Sequence, residues 1–594
     1  TGQRRDESGH PAIPKMERVT HRRRHHSHSV LRSSLVWWVD PCGGGLHLPQ
    51  LHLVLQRREN QRASAATTRR MCASPSSTVH HRIQRLAQHL SPVPWRVSAA
   101  MASSSSSSSS SSAGPHSAEY IAPQLTGLVA PSKAAKTKYD LIVVGGGPAG
   151  AALSTVMGRK GKRVLVIERD WAEPDRIIGE LLQPGGVQSL RNLGLDDCLE
   201  GIDAPHILGY SIFLDGERQP LRYPFYKNKP REGRSFHHGR FIQQLRLRAL
   251  MEDNVDGLSA TVTGLVEESG IVRGVRFRDQ DNKSYEVYSK LTVVCDGSGS
   301  VLRKKVSDGP SPCVRSHFVA LMLENAADKL PYPWHGHVML VKPSPVLAYP
   351  ISSTDVRVLV DMPGKLLSIG SGEMQEYLAN TMCPQLAEEI QPFFLDAVKS
   401  GRIRAVPNRE MPSGPSYARG AILLGDAFNC RHPLTGGGMT VVFSDVKLLS
   451  DMLGSIKNLD DYKKVERGLK KFYEKRKGAS ATINILAGAL YSVFAASDDP
   501  ALPFMRKACF DYFKLGGVAR DGPLSLLSGL NPSYYKLIMH FFAVALYGVA
   551  KQLVPIPTPS RIIRSFRIIR AATRIVQPLI RKEKILNWVP DIPI

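Results

Sequence analysis

An apolar run, Tyr139-Asp140-Leu141-Ile142-Val143-Val144, leads into Gly145-Gly146-Gly147-Pro148-Ala149-Gly150. After a stretch of small residues, a second run, Arg163-Val164-Leu165-Val166-Ile167, ends in Glu168. Strand, Gly-x-Gly-x-x-Gly turn, helix, strand and terminal acid in this register are the sequence form of a dinucleotide cradle. Gly145 permits the tight turn, Gly147 lets backbone approach a pyrophosphate, and Gly150 lets the helix pack onto the strand. The phosphates would sit at the positive end of the helix dipole. Glu168 falls where a carboxylate can accept both ribose hydroxyls. A glycine-rich turn alone is most often only a turn, but here each flanking element is in place.

The net charge of +26 could suggest a nucleic-acid partner, but it is concentrated at the two ends. Residues 1–100 carry +11, residues 551–594 carry +7, and the middle of the chain only +8. A chain with two basic ends and a mildly basic body is not expected to bind nucleic acid. The 8 cysteines form no Cys-x-x-Cys pair and none lies at zinc-ligand spacing with histidine, so no metal site is expected. Reduced, mostly buried thiols are the expectation for a chain of this length.

Along the chain, residues 1–137 read as a disordered leader. Scattered Arg and His with few acids precede Met101, and ten serines follow it, Ser103 to Ser112. Met101 is the expected start of translation, with an organelle transit peptide as the rival reading of the upstream part. Leu35-Val36-Trp37-Trp38-Val39 is too short to span a bilayer. The fold class expected is α/β: a Rossmann-like dinucleotide-binding domain, a mixed β-sheet substrate domain and a helical C-terminal region. Residues 138–310 form the first part of the nucleotide domain and 311–410 a mixed sheet suited to cover a ligand. Residues 411–460 return to the nucleotide domain, and 461–594 are helical. The runs Ile483 to Ala496 and Leu537 to Ala550 are each shorter than the roughly 20 residues a spanning helix needs. Further on, Arg561, Arg564, Arg567, Arg570 and Arg574 share one helical face, with Ile and Phe opposite and no acid from 551 to 582. That pattern suits a membrane interface. The alternative is a solvated helix packing its Ile face on the core.

Two further motifs point from a dinucleotide to a flavin. Leu291-Thr292-Val293-Val294-Cys295-Asp296-Gly297 is a strand ending in Asp-Gly, with Arg303 just after. Ala421-Ile422-Leu423-Leu424-Gly425-Asp426 is a strand ending in Gly-Asp, whose carboxylate can bond ribityl hydroxyls. The glycines 436–438 and Met439 then open a helix whose free N–H groups can face the flavin edge that gains negative charge on reduction. The three motifs in this order resemble the FAD-dependent group A monooxygenases, and no second Gly-x-Gly-x-x-Gly follows a strand to serve NADPH.

The blocks Ile177 to Gly186, Phe236 to Phe241, Asp426 to Val441, Arg506 to Gly517 and His540 to Val544 narrow the likeness. They resemble the squalene epoxidase family over about 138–590. That resemblance implies FAD contacts at Glu168, Arg169, Arg176, Arg246, Val262, Asp426 and Met439. It implies an active-site pair, Gln183 and Tyr210, and a hydrophobic substrate channel including Phe494, Phe510, Phe513, Pro523, Leu526 and His540. Core packing is the plain reading of those phenylalanines without the resemblance. Many relatives carry an N-terminal membrane helix, and none is visible between Met101 and Lys138.

The chemistry so implied is epoxidation of squalene to (S)-2,3-oxidosqualene by FAD and O2. Electrons would come from NADPH through NADPH–cytochrome P450 reductase, on the cytosolic face of the endoplasmic reticulum membrane. The sequence shows no Ser-His-Asp set and no paired carboxylates, and oxygen transfer from a flavin needs neither. Squalene has no polar handle, so its binding must come from buried area, at roughly 25 cal/mol per Å². Two rivals are an isoprenoid reductase of the geranylgeranyl reductase type and a lipid chaperone on the same fold. The intact flavin motifs argue against the chaperone.

Overall fold

Apolar strands that alternate with helices bury both faces of a sheet, and this chain builds such a sheet from five parallel strands. The computed structural model describes residues 120, 125–225, 229–414, 416, 418–495 and 499–585. The leader through 119, with Met101, the serine run, Leu35 to Val39, Cys42 and Cys72, lies outside the described residues. Strand Tyr139–Val144 pairs in parallel with Val164–Glu168 on one side and Ser284–Val294 on the other. Val255–Ser259 and Ala421–Leu423 extend the sheet in parallel. Their registers align the carboxyl ends: Val144 lies opposite Val294 and Ile167, and Val294 opposite Leu423. Gly145, Glu168, Asp296 and Asp426 therefore emerge at one edge, where ligands bind in open α/β sheets. The first half of Ser284–Val294 leaves the parallel region to pair with Ile271–Arg278, which pairs in turn with Thr261–Glu268.

A second, mixed sheet of 7 strands faces that edge. It contains the expected strands His335–Met339, Val346–Pro350 and Val356–Pro363. It also takes Gly209–Leu214 and Glu217–Arg222, which the sequence division at 310 assigns to the nucleotide domain. The reason is long-range: Gly209–Leu214 pairs in parallel with His335–Met339, more than a hundred residues on. The expected leader boundary at 137 is also too late. Leu128 bridges Gly257, Val129 N–H donates to Gly257 O at 2.8 Å, and helix Pro131–Lys136 buries Ala134 completely. This segment covers an edge of the first sheet that would otherwise be open, and it is too short to show a period.

Beyond helix Gly438–Gly454 the described residues are helical, from Tyr462–Phe494 to Pro559–Glu583. The run 537–550 sits inside the longer helix Tyr534–Leu553, and residues 483–494 are the last part of helix Tyr462–Phe494, whose Lys- and Arg-rich first turns hide its start from an apolar scan; Ala496 lies outside the described residues. No described helix is long and apolar enough to cross a membrane. In Pro559–Glu583 the apolar residues split. Ile568, Ala571, Ala572, Val576 and Ile580 are buried, whereas Ile562, Ile563 and Phe566 are exposed beside Arg567 and Arg570. Of the six cysteines within the described residues, five are buried and Cys313 is exposed.

Candidate active site

The glycine turn has the geometry its spacing demands. Gly145 has φ +102, and a Cβ there would come within 2.7 Å of Cys295 O. A Cβ at Gly150 would lie 1.9 Å from Gly145 O, so helix Pro148–Arg159 can approach the strand only without one. Gly150 is thus a packing glycine behind the site. Gly147 differs: a Cβ there would meet no protein atom within 4 Å, because the residue faces a cavity of about 640 Å³.

That cavity gathers Gly145, Gly147, Glu168, Arg169, Arg176, Arg246, Val262, Asp296, Asp426, Met439 and Tyr210. Glu168 accepts from Gly146 N–H at 2.7 Å and from Arg169 N–H at 2.9 Å, which holds its carboxylate at the strand tip. Arg246 is buried, donates to Gly146 O at 3.0 Å and Ala172 O at 2.9 Å, and lies over the Trp171 ring. Arg303 lies behind the wall and ties the two acidic loops together, donating to Ala427 O at 2.8 Å and Ser298 O at 2.9 Å. Asp426 is deep in the fold yet its side chain is open to the cavity. Burial pushes its carboxyl up, with Arg431, Arg176 and Arg303 opposing; burial does the same at Asp296. Asp296 Oδ1 and Arg431 Nε are buried without a protein partner.

The opposite wall is apolar and comes from the second sheet: Val338, Leu347, Tyr349 and Leu359, with Ile178, Leu181 and Leu434 beside them. Tyr210 stands where the two walls meet. Gln183 lies directly behind it and does not reach the cavity. Pro184 opens the helix after Gln183, and the Gln183 side chain makes no cap bond. It instead donates to Tyr210 Oη and, at 2.8 Å, to Thr435 O, and accepts from Tyr223 O–H at 2.7 Å. These three partners fix which way the amide points. Tyr210 oxygen accepts from Gln183, and Tyr223 is a second hydrogen-bonding neighbour of the same hydroxyl. Burial pushes the Tyr210 hydroxyl up to about 12, so it stays protonated and cannot act as a base.

The predicted channel residues take other places. Phe494, Phe510 and Phe513 are buried in the same apolar cluster as Tyr210, Leu181 and Leu434. Leu526 belongs to a separate cluster with Leu537, Val576 and Ile580. Pro523 lies inside helix Gly517–Leu527. His540 packs on Gly522 and bonds Tyr512 at 3.2 Å. None of the six lines the cavity itself.

Sequence reasoning missed three residues. Tyr223 is one. The others are Glu180 and Arg357, a buried ion pair with Nη2–Oε1 2.8 Å and Nε–Oε2 3.0 Å, to which Tyr349 O–H adds a bond at 3.2 Å. Burial pushes Glu180 up to about 7, against the pull of Arg357. The pair joins the loop after Gly179 to the second sheet. Its only sequence signal was an acid inside an otherwise apolar block, Ile178 to Leu182.

A squalene epoxidase family model matches residues 288–564. Squalene epoxidase 3 of Arabidopsis thaliana is 51% identical over 449 residues, covering 75% of this chain and 85% of the relative. Squalene monooxygenase of Mus musculus is 42% identical over 455 residues, covering 75% and 78%. Among solved structures, a flavoprotein/dehydrogenase of Cytophaga hutchinsonii aligns with TM-score 0.53 at 16% identity, covering 70% of this chain and 100% of its own. An HpxO variant of Klebsiella pneumoniae complexed with FAD aligns with TM-score 0.52 at 18% identity, covering 66% and 99%. At those identities the structures speak for the fold alone.

Proposed function

The chain belongs to the squalene epoxidase family, and on that premise we propose how its cavity serves the family's reaction, where its substrate enters and what reduces it. Its activity is FAD- and O2-dependent epoxidation of squalene, and the isoprenoid-reductase alternative is not favoured by the relatives it matches. The observation that carries the reading is the two-sided cavity: a glycine, acid and arginine wall facing an aliphatic one.

The polar wall fits FAD. Gly147 leaves open space at the helix N-terminus, Asp426 faces inward from a deep position, and Asp296 Oδ1 and Arg431 Nε lack protein partners. Glu168 and Arg246 would hold the adenosine end, Asp296 and Asp426 the hydroxyls between, and the helix start at Gly438–Met439 the ring edge. When bound and reduced, FAD supplies the two electrons that let one oxygen atom of O2 add to the alkene while the other leaves as water. The chain's own residues do the rest. Val338, Leu347 and Leu359 bind a hydrocarbon by area and exclude water. Tyr210, held by Gln183 and Tyr223, sets a neutral hydroxyl at the meeting of the two walls. Phe494, Phe510 and Phe513 back this wall, and with Pro523, Leu526 and His540 would mark the path of the substrate's far end.

Electrons come from NADPH through NADPH–cytochrome P450 reductase, and the product is (S)-2,3-oxidosqualene. The helices Tyr534–Leu553 and Pro559–Glu583 lie on the endoplasmic reticulum membrane, with the catalytic part in the cytosol. What supports this is exposed Met539, Leu546, Ile563 and Phe566, with exposed Arg567 and Arg570 one helical turn from the last two. Flotation with anionic vesicles should retain the wild type and lose Phe566→Glu; equal flotation would remove the membrane assignment. For the reaction itself, purified protein is incubated with FAD, the reductase, NADPH, O2 and squalene. The expected product carries one added oxygen atom; unchanged squalene, or oxygen-independent reduction, would overturn the reading.

A further inference from the structure

We infer that His432 is a positioning residue for the Gln183–Tyr210 pair, acting through the loop it begins. This rests on the reading that the pair serves catalysis. His432 is 1% exposed and lies outside the cavity wall, although Pro433, Leu434, Gly436 and Gly438 line it. Its ring is gripped on every side. It stacks on Tyr491 of helix Tyr462–Phe494 with centroids 4.0 Å apart, and meets the Phe318 ring edge-on at 5.6 Å.

The hydrogen bonds allow one protonation state. Leu434 N–H donates to Nδ1 at 3.3 Å, so that nitrogen carries no proton. Nε2 lies 3.0 Å from Ser316 Oγ. The Ser316 hydroxyl spends its own proton on Asp361 Oδ1 and accepts from Asn408 Nδ2 at 2.9 Å. Nε2 must therefore donate. Only the neutral Nε2–H tautomer does both jobs, and burial, which pushes His432 down to about 3, keeps it neutral.

Asp361 is anchored in turn by Ser344 O–H at 2.6 Å. Ser316, Asp361 and Asn408 sit on three adjacent strands of the second sheet. His432 thus pins the loop 433–436 to that sheet. The loop's Thr435 carbonyl takes one amide proton of Gln183 at 2.8 Å, and the other amide proton goes to Tyr210. Gly436, at φ +59, brings the loop so close that a Cβ would sit 3.4 Å from Gln183 Nε2. A histidine that touches neither cavity nor substrate sets the height of the carbonyl that aims the tyrosine.

The test uses the full chain with FAD and reductase. In His432→Asn the side-chain oxygen still accepts from the backbone N–H two residues on, as Asn does in turns, but the Ser316 tether is lost. We expect kcat to fall roughly tenfold or more, as small misplacements near a reacting centre do, with a higher share of electrons lost to hydrogen peroxide. FAD affinity, read by quenching of flavin fluorescence, stays unchanged. In a Tyr210→Phe background the same substitution should alter kcat by less than about twofold, the range of independent error. If the two losses multiply in full, or if FAD affinity falls in step with kcat, His432 does not act through Tyr210 and the inference is overturned. Ser316→Ala, which deletes one oxygen, carries the same cycle should His432→Asn melt too early. A Tyr210→Phe enzyme with unaltered kcat would sink the reading of the pair itself, a result distinct from additivity.

Discussion

The nucleotide wall and the substrate wall of this cavity meet at Tyr210 but are held by different means. The first is made of loops that leave the carboxyl ends of parallel strands, and its geometry is set by backbone: Gly145, Gly150 and the N–H groups that Glu168 accepts. The second is the face of a mixed sheet, made of side chains whose neighbours come from far along the sequence. The difference teaches where damage should register. A change in the first wall should appear as loss of the cofactor, and a change in the second as loss of substrate or of turnover with the cofactor in place.

The harshest test of that division is Gly150→Ala. Its methyl would fall 1.9 Å from Gly145 O, and backbone cannot yield there. The purified protein should be colourless; a yellow variant with normal flavin would break the comparison. Next is the Glu180–Arg357 bridge between the walls. Arg357→Met leaves a buried carboxylate without its cation, a loss of about 3–5 kcal/mol that calorimetry would register as a lower Tm, whereas Glu180→Leu with Arg357→Met should recover most of it. Asp426→Ala removes a charged acceptor and should weaken FAD by about 1.5–3 kcal/mol in a fluorescence titration, with the squalene KM unaltered. Leu347→Ala should do the reverse, raising KM by about tenfold with FAD affinity unchanged. A Leu347 variant that releases FAD would show the two walls to be one unit.

The mildest test needs no mutation. Burial pushes His238 and His337 each down to about 4 from the ordinary 6.5, one histidine on each wall. A folded-state value below the unfolded one means that the unfolded chain binds more protons, so stability is full above pH 6.5 and falls as pH drops toward 4. Tm measured across that window should fall in FAD-loaded and FAD-free protein alike. A flat profile would mean that these rings take up protons without opening the fold.

Much of the nucleotide wall was legible in the sequence. A Gly-x-Gly-x-x-Gly turn and an acid at a strand end are constraints between residues close in the chain, and parallel pairing needs only that each run be apolar. Of the residues named there, all but Gly150, Arg303 and Gly437 face the cavity, and Gly150 has the packing role its place in the motif implies. The strands of the second sheet were also legible as apolar runs, although which of their residues face inward was not. A residue such as Leu347 shows its face only once its partners are known.

The sequence by itself determined the order of strands and helices around the glycine turn, because those elements answer to local sterics and hydrophobic period. Only the tertiary structure decided that strands 209–222 join the far sheet, that Tyr223 and Thr435 orient Gln183, and that Glu180 finds Arg357. It also decided that His432 lies behind the loop and the six predicted channel residues outside the cavity. Each is a meeting of residues that local propensity cannot foresee, because a buried polar atom is satisfied by whichever partner the packed chain brings within reach.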